Sequence, residues 1–260
     1  MASIATALTV EQVAVHFGGV VALSDMTFTV GEGEIVSLIG PNGAGKTTAF
    51  NVVTGFLDPT HGAVSYRGTA LNGLKPHQIA DLGLIRTFQR TSVFPNDTVY
   101  NNVLIGLHRQ GRVGLVEAIL GLPRARAAER KLRERAGELI EWIGLERRAH
   151  DAAGSLSYGE QRLVGVALAL AAEPSMLLLD EPVSGMNASE THTFVQLIRN
   201  IRDRNVTILL VEHDMPMVMS VSDRIVVLNY GRIIAEGSPD VIRSDPAVIE
   251  AYLGQGATRA

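Results

Sequence analysis

Nine consecutive residues, Gly40-Pro41-Asn42-Gly43-Ala44-Gly45-Lys46-Thr47-Thr48, have the types and spacing needed to hold phosphate, following the pattern G-x-x-x-x-G-K-[ST]. The apolar run Ile35-Val36-Ser37-Leu38-Ile39 before them reads as a buried strand, and residues 47–53 after them are helix-compatible. Glycines let such a loop curl until successive backbone N–H groups point inward, and the helix N-terminus adds its positive dipole end. Lys46 is placed to reach the β- and γ-oxygens of a nucleotide, and the Thr47 hydroxyl suits Mg²⁺. A plain Gly-rich turn is the alternative for the loop taken alone. With strand, loop, Lys-Thr and helix all in order, phosphate binding is the better reading. The loop does not say which nucleotide enzyme this is.

Two further stretches bear chemistry. Met176-Leu177-Leu178-Leu179-Asp180-Glu181-Pro182 is an apolar strand ending in two carboxylates. Downstream of a phosphate loop, the first carboxylate can hold Mg²⁺ through water and the second can polarise an attacking water. In Leu156-Ser157-Tyr158-Gly159-Glu160-Gln161-Arg162, Ser157 has N-cap chemistry and Gly159 allows an anion close to the backbone. The helix it opens carries Leu163, Val166, Ala167 and Leu170 on one side. Alone this is a capped helix; its position shortly before the acidic strand gives it weight.

The elements that must position these residues follow from periodicity. Alternation over 8–17 and 26–30 predicts strands, with further strands at 62–68, 83–89, 176–179, 206–211 and 225–228. From Thr98 to about Gly144 the character turns helical, most clearly over 124–142, with Pro123 where a helix can begin. Its dense mixed charges read as a solvated face. Helices are predicted after Ser157 and over 188–204, and Ser238-Pro239-Asp240 and Asp245-Pro246 open two more behind a short strand. Strands alternating with helices imply a parallel sheet, and the block between Gln89 and Ser157 reads as an inserted helical subdomain.

Bulk properties narrow the classes. At 260 residues the chain can bury one large core, with a subdomain. A net charge of −4 argues against a nucleic-acid partner. Without cysteine there are no disulfides, thiolate-held Fe–S clusters or Cys-based zinc sites. The first residues, Met1-Ala2-Ser3-Ile4-Ala5-Thr6, lack the pattern of a signal peptide, and the longest uncharged apolar segment, 163–172, is too short to cross a bilayer. A soluble polypeptide is expected, any membrane part being supplied by other chains.

The order of phosphate loop, Ser157-Tyr158-Gly159 helix and Asp180-Glu181 strand resembles that of the ATP-binding-cassette (ABC) ATPases over nearly the whole chain. The resemblance implies an α/β fold: a P-loop NTPase (RecA-like) core with an antiparallel β subdomain and an inserted α-helical subdomain. It implies one cassette domain over 1–260, with the core in 5–89 and 157–235. The helical subdomain is then 90–156, with the signature motif at its end, and 236–260 is a helical tail. ATP and Mg²⁺ are the implied cofactors. Lys46 and the loop from Gly40 to Thr48 bind ATP; Thr47, Gln89 and Asp180 (through water) serve Mg²⁺; Glu181 is the base. Gln89, in Arg86-Thr87-Phe88-Gln89, matches the Q-loop glutamine, and His213, after the strand 207–211, matches the switch histidine on the γ-phosphate. Phe17 falls where the family stacks an aromatic on adenine, although it also suits a core or turn position. The signature Leu156-Ser157-Tyr158-Gly159-Glu160 departs from the family in Tyr158, often Gly, and Glu160, usually Gln. Asn187 in the D-loop stands where most members have Asp.

In this family two cassettes face head to tail, each ATP lying between one chain's phosphate loop and the other's signature helix. Phe17-Gly18-Gly19-Val20-Val21-Ala22-Leu23, 35–51, Glu212-His213-Asp214-Met215, Ser222-Asp223-Arg224-Ile225, Gly185-Met186-Asn187 and Ala251-Tyr252-Leu253-Gly254 are similar to the larger ATPase subunit of bacterial branched-chain amino-acid importers. That branch implies a second, non-identical ATPase subunit, two transmembrane permease subunits and an external solute-binding protein, with this chain peripheral on the cytoplasmic face of the cell membrane. Docking on the permeases is expected around 89–102, where Phe94 and Pro95 lie; a buried hinge is the other reading of Phe94. Related cassettes serve urea, short amides, other amino acids or lipopolysaccharide export. Soluble ABC ATPases acting on ribosomes or DNA usually carry two cassettes or long coiled coils, neither of which this chain has. A P-loop kinase or GTPase would leave Ser157-Tyr158-Gly159 unexplained.

Overall fold

The computed structural model describes residues 5–87, 93–107 and 123–253. They divide into two compact units. The first takes residues up to Arg86, Ser175–Ser184 and the chain from Thr191; the second takes Thr87–Pro174 and Gly185–Glu190.

In the first unit, β1 (Thr6–Phe17) and β2 (Val20–Gly31) form a long antiparallel hairpin, extended by β4 (His61–Tyr66) and β5 (Thr69–Ala70) into a four-stranded sheet ordered β2-β1-β4-β5. A six-stranded sheet has the order β10-β9-β3-β8-β7-β6. Its members are β3 (Ile35–Ile39), β6 (Leu84–Arg86), β7 (Met176–Asp180), β8 (Thr207–Val211), β9 (Arg224–Asn229) and β10 (Arg232–Gly237). Its pairs are parallel except β9 with β10. Every residue of β3, β7 and β8 is buried, which is why these strands read as unbroken apolar runs and not as alternation. Helix α1 (Lys46–Val53) buries Phe50 and Val53 in a core shared with Leu8, Val10 and Val64 of the antiparallel sheet and Leu38 and Leu209 of the parallel one.

The strand expected over 83–89 ends earlier, at Arg86, whose side chain turns to a buried carboxylate; Gln89 lies outside the described residues. Two helices not anticipated from the sequence are α2 (Pro76–Asp81) and the segment Met215–Val221, each opened by a proline in its first turn. At six and seven residues they are too short to show a helical period; their local signals were proline and, for the second, Asp214, whose side chain caps it by accepting from the Met217 N–H. Near the C-terminus Asp245 caps its helix by accepting from the Ala247 and Val248 N–H groups, whereas Ser238 makes no side-chain cap. Ile242, Val248 and Tyr252 of these last helices pack with Ile39 and Val227.

The second unit is helical. Helix α3 (Val99–Leu107) packs on α4 (Pro123–Trp142) and on α5 (Tyr158–Leu170), burying Val103, Leu107, Leu139, Ile140 and Val164. Asn102 is fully buried and closes the preceding loop: its Oδ1 accepts from the Phe94 N–H at 2.7 Å, and its Nδ2 donates to the carbonyls of Phe94 and Thr98 at 3.1 and 2.9 Å. Phe94 itself is 51% exposed, which overturns its reading as a buried hinge. Removing the Asn102 amide leaves these loop groups without their partner, so Asn102→Ala should destabilise this unit by about 1–3 kcal/mol. The single tryptophan, Trp142, lies on α4 of the same unit and reports the denaturant midpoint; an unmoved tryptophan transition would contradict this.

Candidate functional site

The chain leaves β3 into the loop 40–45 by a turn that only glycine can make. Gly40 has φ 153°, and a Cβ there would lie 2.0 Å from the Leu228 carbonyl oxygen. Gly45, at φ 106°, caps α1 and would meet the Ala22 carbonyl oxygen and the Leu23 side chain at 2.8 Å. The backbone N–H groups of Gly43, Gly45, Lys46 and Thr47 find no acceptor among the described residues. Four donors gathered at a helix N-terminus fit an anion with several oxygens. Lys46 is buried, and its ammonium donates to the carbonyls of Gly40 at 2.7 Å and Pro41 at 3.0 Å. Burial pushes its pKa below the usual lysine range, against the opposing pull of Glu181 and then Asp180.

A cleft of about 490 Å³ is lined by Asn42, Gly43, Ala44, Gly45, Lys46, Thr47, Thr48 and Glu181 on its polar side. Val20, Val21, Ala22 and Tyr230 line it on the other. Phe17 pairs with Val20 across the hairpin and is 53% exposed; the residues this hairpin gives to the cleft are Val20, Val21 and Ala22. Tyr230, in the turn between β9 and β10, was not picked out in the sequence, where a lone tyrosine before Gly231 carries no motif.

Opposite the loop, Asp180 ends β7, and Glu181 follows at φ 45°, a left-handed conformation that a glutamate rarely adopts, with its N–H donating to the Val211 carbonyl. His213 follows the end of β8 and brings Nδ1 to 3.9 Å from a Glu181 oxygen. Two residues that sequence reasoning passed over hold this edge in place. Glu212 is fully buried: one carboxylate oxygen accepts from the Val183 N–H at 3.0 Å, and the other from the His213 and Asp214 N–H groups at 2.8 and 3.3 Å. It therefore ties the segment after Glu181 to the segment bearing His213. Arg86 donates to Asp180 Oδ2 at 2.7 Å and to Asn51 Oδ1 at 2.8 Å, with its guanidinium 5.5 Å from the Phe50 ring centre. Both had a signal of the same kind, a charge directly after an apolar strand.

The oxygen donors here suit a hard cation. Asp180 Oδ1 has no partner among the described residues, and the Thr47 hydroxyl lines the cleft. No group of three or more His, Asp or Glu that could cage a metal occurs among the described residues. Mg²⁺ held by one hydroxyl, one carboxylate through water and substrate phosphate needs no such cage.

In the second unit, Ser157 caps α5 within a reciprocal box: its Oγ accepts from the Glu160 N–H at 3.2 Å, and its own N–H donates to Glu160 Oε2 at 2.8 Å. Leu156 is buried beneath, while Tyr158 is partly exposed and held by Arg162, which donates to its hydroxyl at 2.6 Å. Asn187 begins α6 (Ala188–Arg202), its Oδ1 accepting from the Ser189 and Glu190 N–H groups at 3.0 Å. The loop, Glu181 and His213 thus form one cluster in the first unit. The signature residues and Asn187 form another in the second.

Known proteins match this arrangement. A family model described as ABC transporter covers residues 23–184, and one described as branched-chain amino acid ATP-binding cassette transporter covers 232–258. The high-affinity branched-chain amino acid transport ATP-binding protein LivG of Salmonella typhimurium is 45% identical, over 95% of this chain and 98% of its own. The corresponding protein BraF of Pseudomonas aeruginosa is 43% identical over the same shares. Among solved structures, a nucleotide-free ATP-binding cassette from an ABC transporter superposes with TM-score 0.83 at 31% identity, covering 95% of this chain and 98% of that one. The ADP conformation of an ATP-binding cassette of an ABC transporter gives TM-score 0.84 at 30% identity, covering 96% and 99%. The α/β fold is that of a P-loop NTPase cassette, and the chain belongs to the ABC transporter ATP-binding family.

Proposed function

We propose that this chain is the ATP-hydrolysing subunit of a bacterial ABC importer for branched-chain amino acids, acting as one cassette domain at the cytoplasmic face of the cell membrane. The observation that carries the chemistry is one cleft in which Lys46, Glu181 and four loop N–H groups with no acceptor among the described residues meet. The observation that carries the cargo is the branch-specific match over residues 232–258, with relatives named for branched-chain amino acid transport. No helix among the described residues is long and apolar enough to cross a membrane, so permeases on other chains complete the transporter.

In this reading the loop N–H groups and Lys46 bind the β- and γ-phosphates. An anion held by the loop offsets the cost of burying the Lys46 ammonium. Thr47, Gln89 and, through water, Asp180 would hold Mg²⁺, which would supply charge neutralisation at the phosphate oxygens. Glu181 takes a proton from the attacking water as its oxygen bonds to the γ-phosphorus and the bond to ADP breaks. His213, held by Glu212, steadies the γ-phosphate. Phe17 gives adenine an aromatic face beside the apolar wall of the cleft. Ser157, Tyr158 and Gly159 reach the nucleotide of a second, non-identical cassette, and Asn187 lies at the same junction. Gln89 and the exposed Phe94 belong to the surface that meets the two permeases, and an external binding protein delivers the solute.

Lys46→Ala should sharply weaken ATP binding and abolish hydrolysis while leaving the unfolding transition in place, as measured by equilibrium ATP binding and denaturation. Normal turnover would refute the phosphate assignment. Glu181→Gln keeps size and hydrogen bonding without the base, so ATP should stay bound while turnover drops by ~10²-fold or more. Wild-type turnover in that variant would mean another group activates the water. Cargo is tested by uptake of leucine, isoleucine and valine in a strain lacking this chain: uptake of all three should fall. Loss of a different solute, such as urea or an amide, with these three unchanged would keep the transport ATPase and replace its substrate.

A further inference from the structure

Glycine at position 159 is explained by a side chain of this same chain. A Cβ there would lie 2.7 Å from Cδ and Oε1 of Glu190, so the carboxylate fills the space a side chain would take over the first turn of α5. Oε1 also accepts from the Ser157 hydroxyl at 3.2 Å. The other oxygen, Oε2, accepts from the Asn187 N–H at 3.0 Å, while the Glu190 N–H donates to Asn187 Oδ1 at 3.0 Å. Glu190 is thus the third residue of a capping box on α6, and Ser157 is the cap of a second box, on α5, with Glu160. One hydrogen bond joins the two boxes back to back. All five residues belong to the second unit.

A capping box alone needs Glu190 only through Oε2. The second oxygen does something else. It places negative charge at the N-terminus of a helix of 13 residues, where an anion is favoured, and it takes the only proton the Ser157 hydroxyl has to give. A phosphate oxygen seeking Ser157 and Gly159 would have to take that proton and space from Glu190.

We propose that Glu190 is a resident anion on the signature motif: a positioning residue that holds Ser157 until a partner-bound nucleotide displaces it. Displacement breaks the bond between the boxes, so arrival of phosphate at Ser157 is felt at Asn187 through a single side chain. Asn187 suits this arrangement better than aspartate, since its neutral amide caps α6 without placing a second carboxylate beside Glu190. The proposal rests on the ATPase reading above, in which Ser157 meets the nucleotide of a second cassette.

Glu190→Gln is the diagnostic change. Its amide oxygen can keep the box with Asn187, as glutamine does in such motifs, while the charge and the acceptor facing Ser157 are lost. In the assembled transporter carrying Glu181→Gln to block turnover, labelled ATP retained at equilibrium is measured against ATP concentration, with and without Glu190→Gln. Half-saturation should fall roughly three- to tenfold, the scale of one competing hydrogen bond. The unfolding transition of the chain should not move. In a Ser157→Ala background, where the proton at issue is gone, the shift should shrink to less than about half. Unchanged or weaker ATP retention by Glu190→Gln with unaltered stability, or an equal shift in the Ser157→Ala background, would overturn the proposal alone. Failure of the Glu181→Gln assembly to retain ATP at all would overturn the ATPase reading and this proposal with it.

Discussion

A parallel sheet sends the C-terminal ends of all its strands to one edge, and every part of the first cluster depends on that constraint. The register makes it concrete. Leu38 of β3 pairs with Val211 of β8, and Val211 pairs with Asp180 of β7, so the three strands finish together. From that common edge the phosphate loop leaves β3, Glu181 leaves β7, and Glu212 and His213 leave β8. Arg86, paired with Leu178 on the neighbouring strand, reaches Asp180 from the same side. A slip of one residue in β7 would turn Asp180 to the opposite face and separate the pair. Because these strands are buried on both faces, such a slip would also disturb the whole apolar core.

Two of the carboxylates along this edge are satisfied within the fold. Asp180 and Arg86 neutralise each other with side chains about one-tenth exposed, and Glu212 is satisfied by three backbone N–H groups. Neither needs a ligand to be stable. Lys46 differs: its ammonium hydrogen-bonds only to two carbonyls, and burial lowers its pKa despite the opposing pull of Glu181 and Asp180. Glu181 carries a second kind of deficit, in a backbone conformation that favours glycine. Arg86 and Glu212 are thus settled within the fold, whereas burial of Lys46 and the backbone of Glu181 each carry a cost.

Much of this was legible in the sequence, for identifiable reasons. The loop 40–48, the strand ending at Asp180-Glu181 and the cap at Ser157 are local patterns, set by residues adjacent in the chain. The buried strands announced themselves by unbroken apolar runs. What stayed hidden depends on distant partners: Arg86 matters because a strand some 90 residues away ends in Asp180, and Glu190 because Ser157 lies 33 residues before it. The strand read over 83–89 runs from Leu84 to Arg86, since Thr87 does not break the β pattern in sequence and only tertiary pairing ends it. Phe94 was undecidable because its burial depends on what packs over the loop, which neighbouring residues in the chain do not show.

The turn Tyr230-Gly231 looks like an ordinary surface hairpin, the kind of place where chains usually gain and lose residues freely. Here it is bolted at both ends. The Gly231 N–H donates to the Ala44 carbonyl of the phosphate loop, and its own carbonyl accepts from Ser24 of the first hairpin. Leu228, just before it, presses its carbonyl into the space that only glycine at position 40 leaves open. Three segments distant in the sequence therefore share one knot, and lengthening any of them by a residue would move the loop. The length of this turn should be inherited as strictly as the loop motif itself.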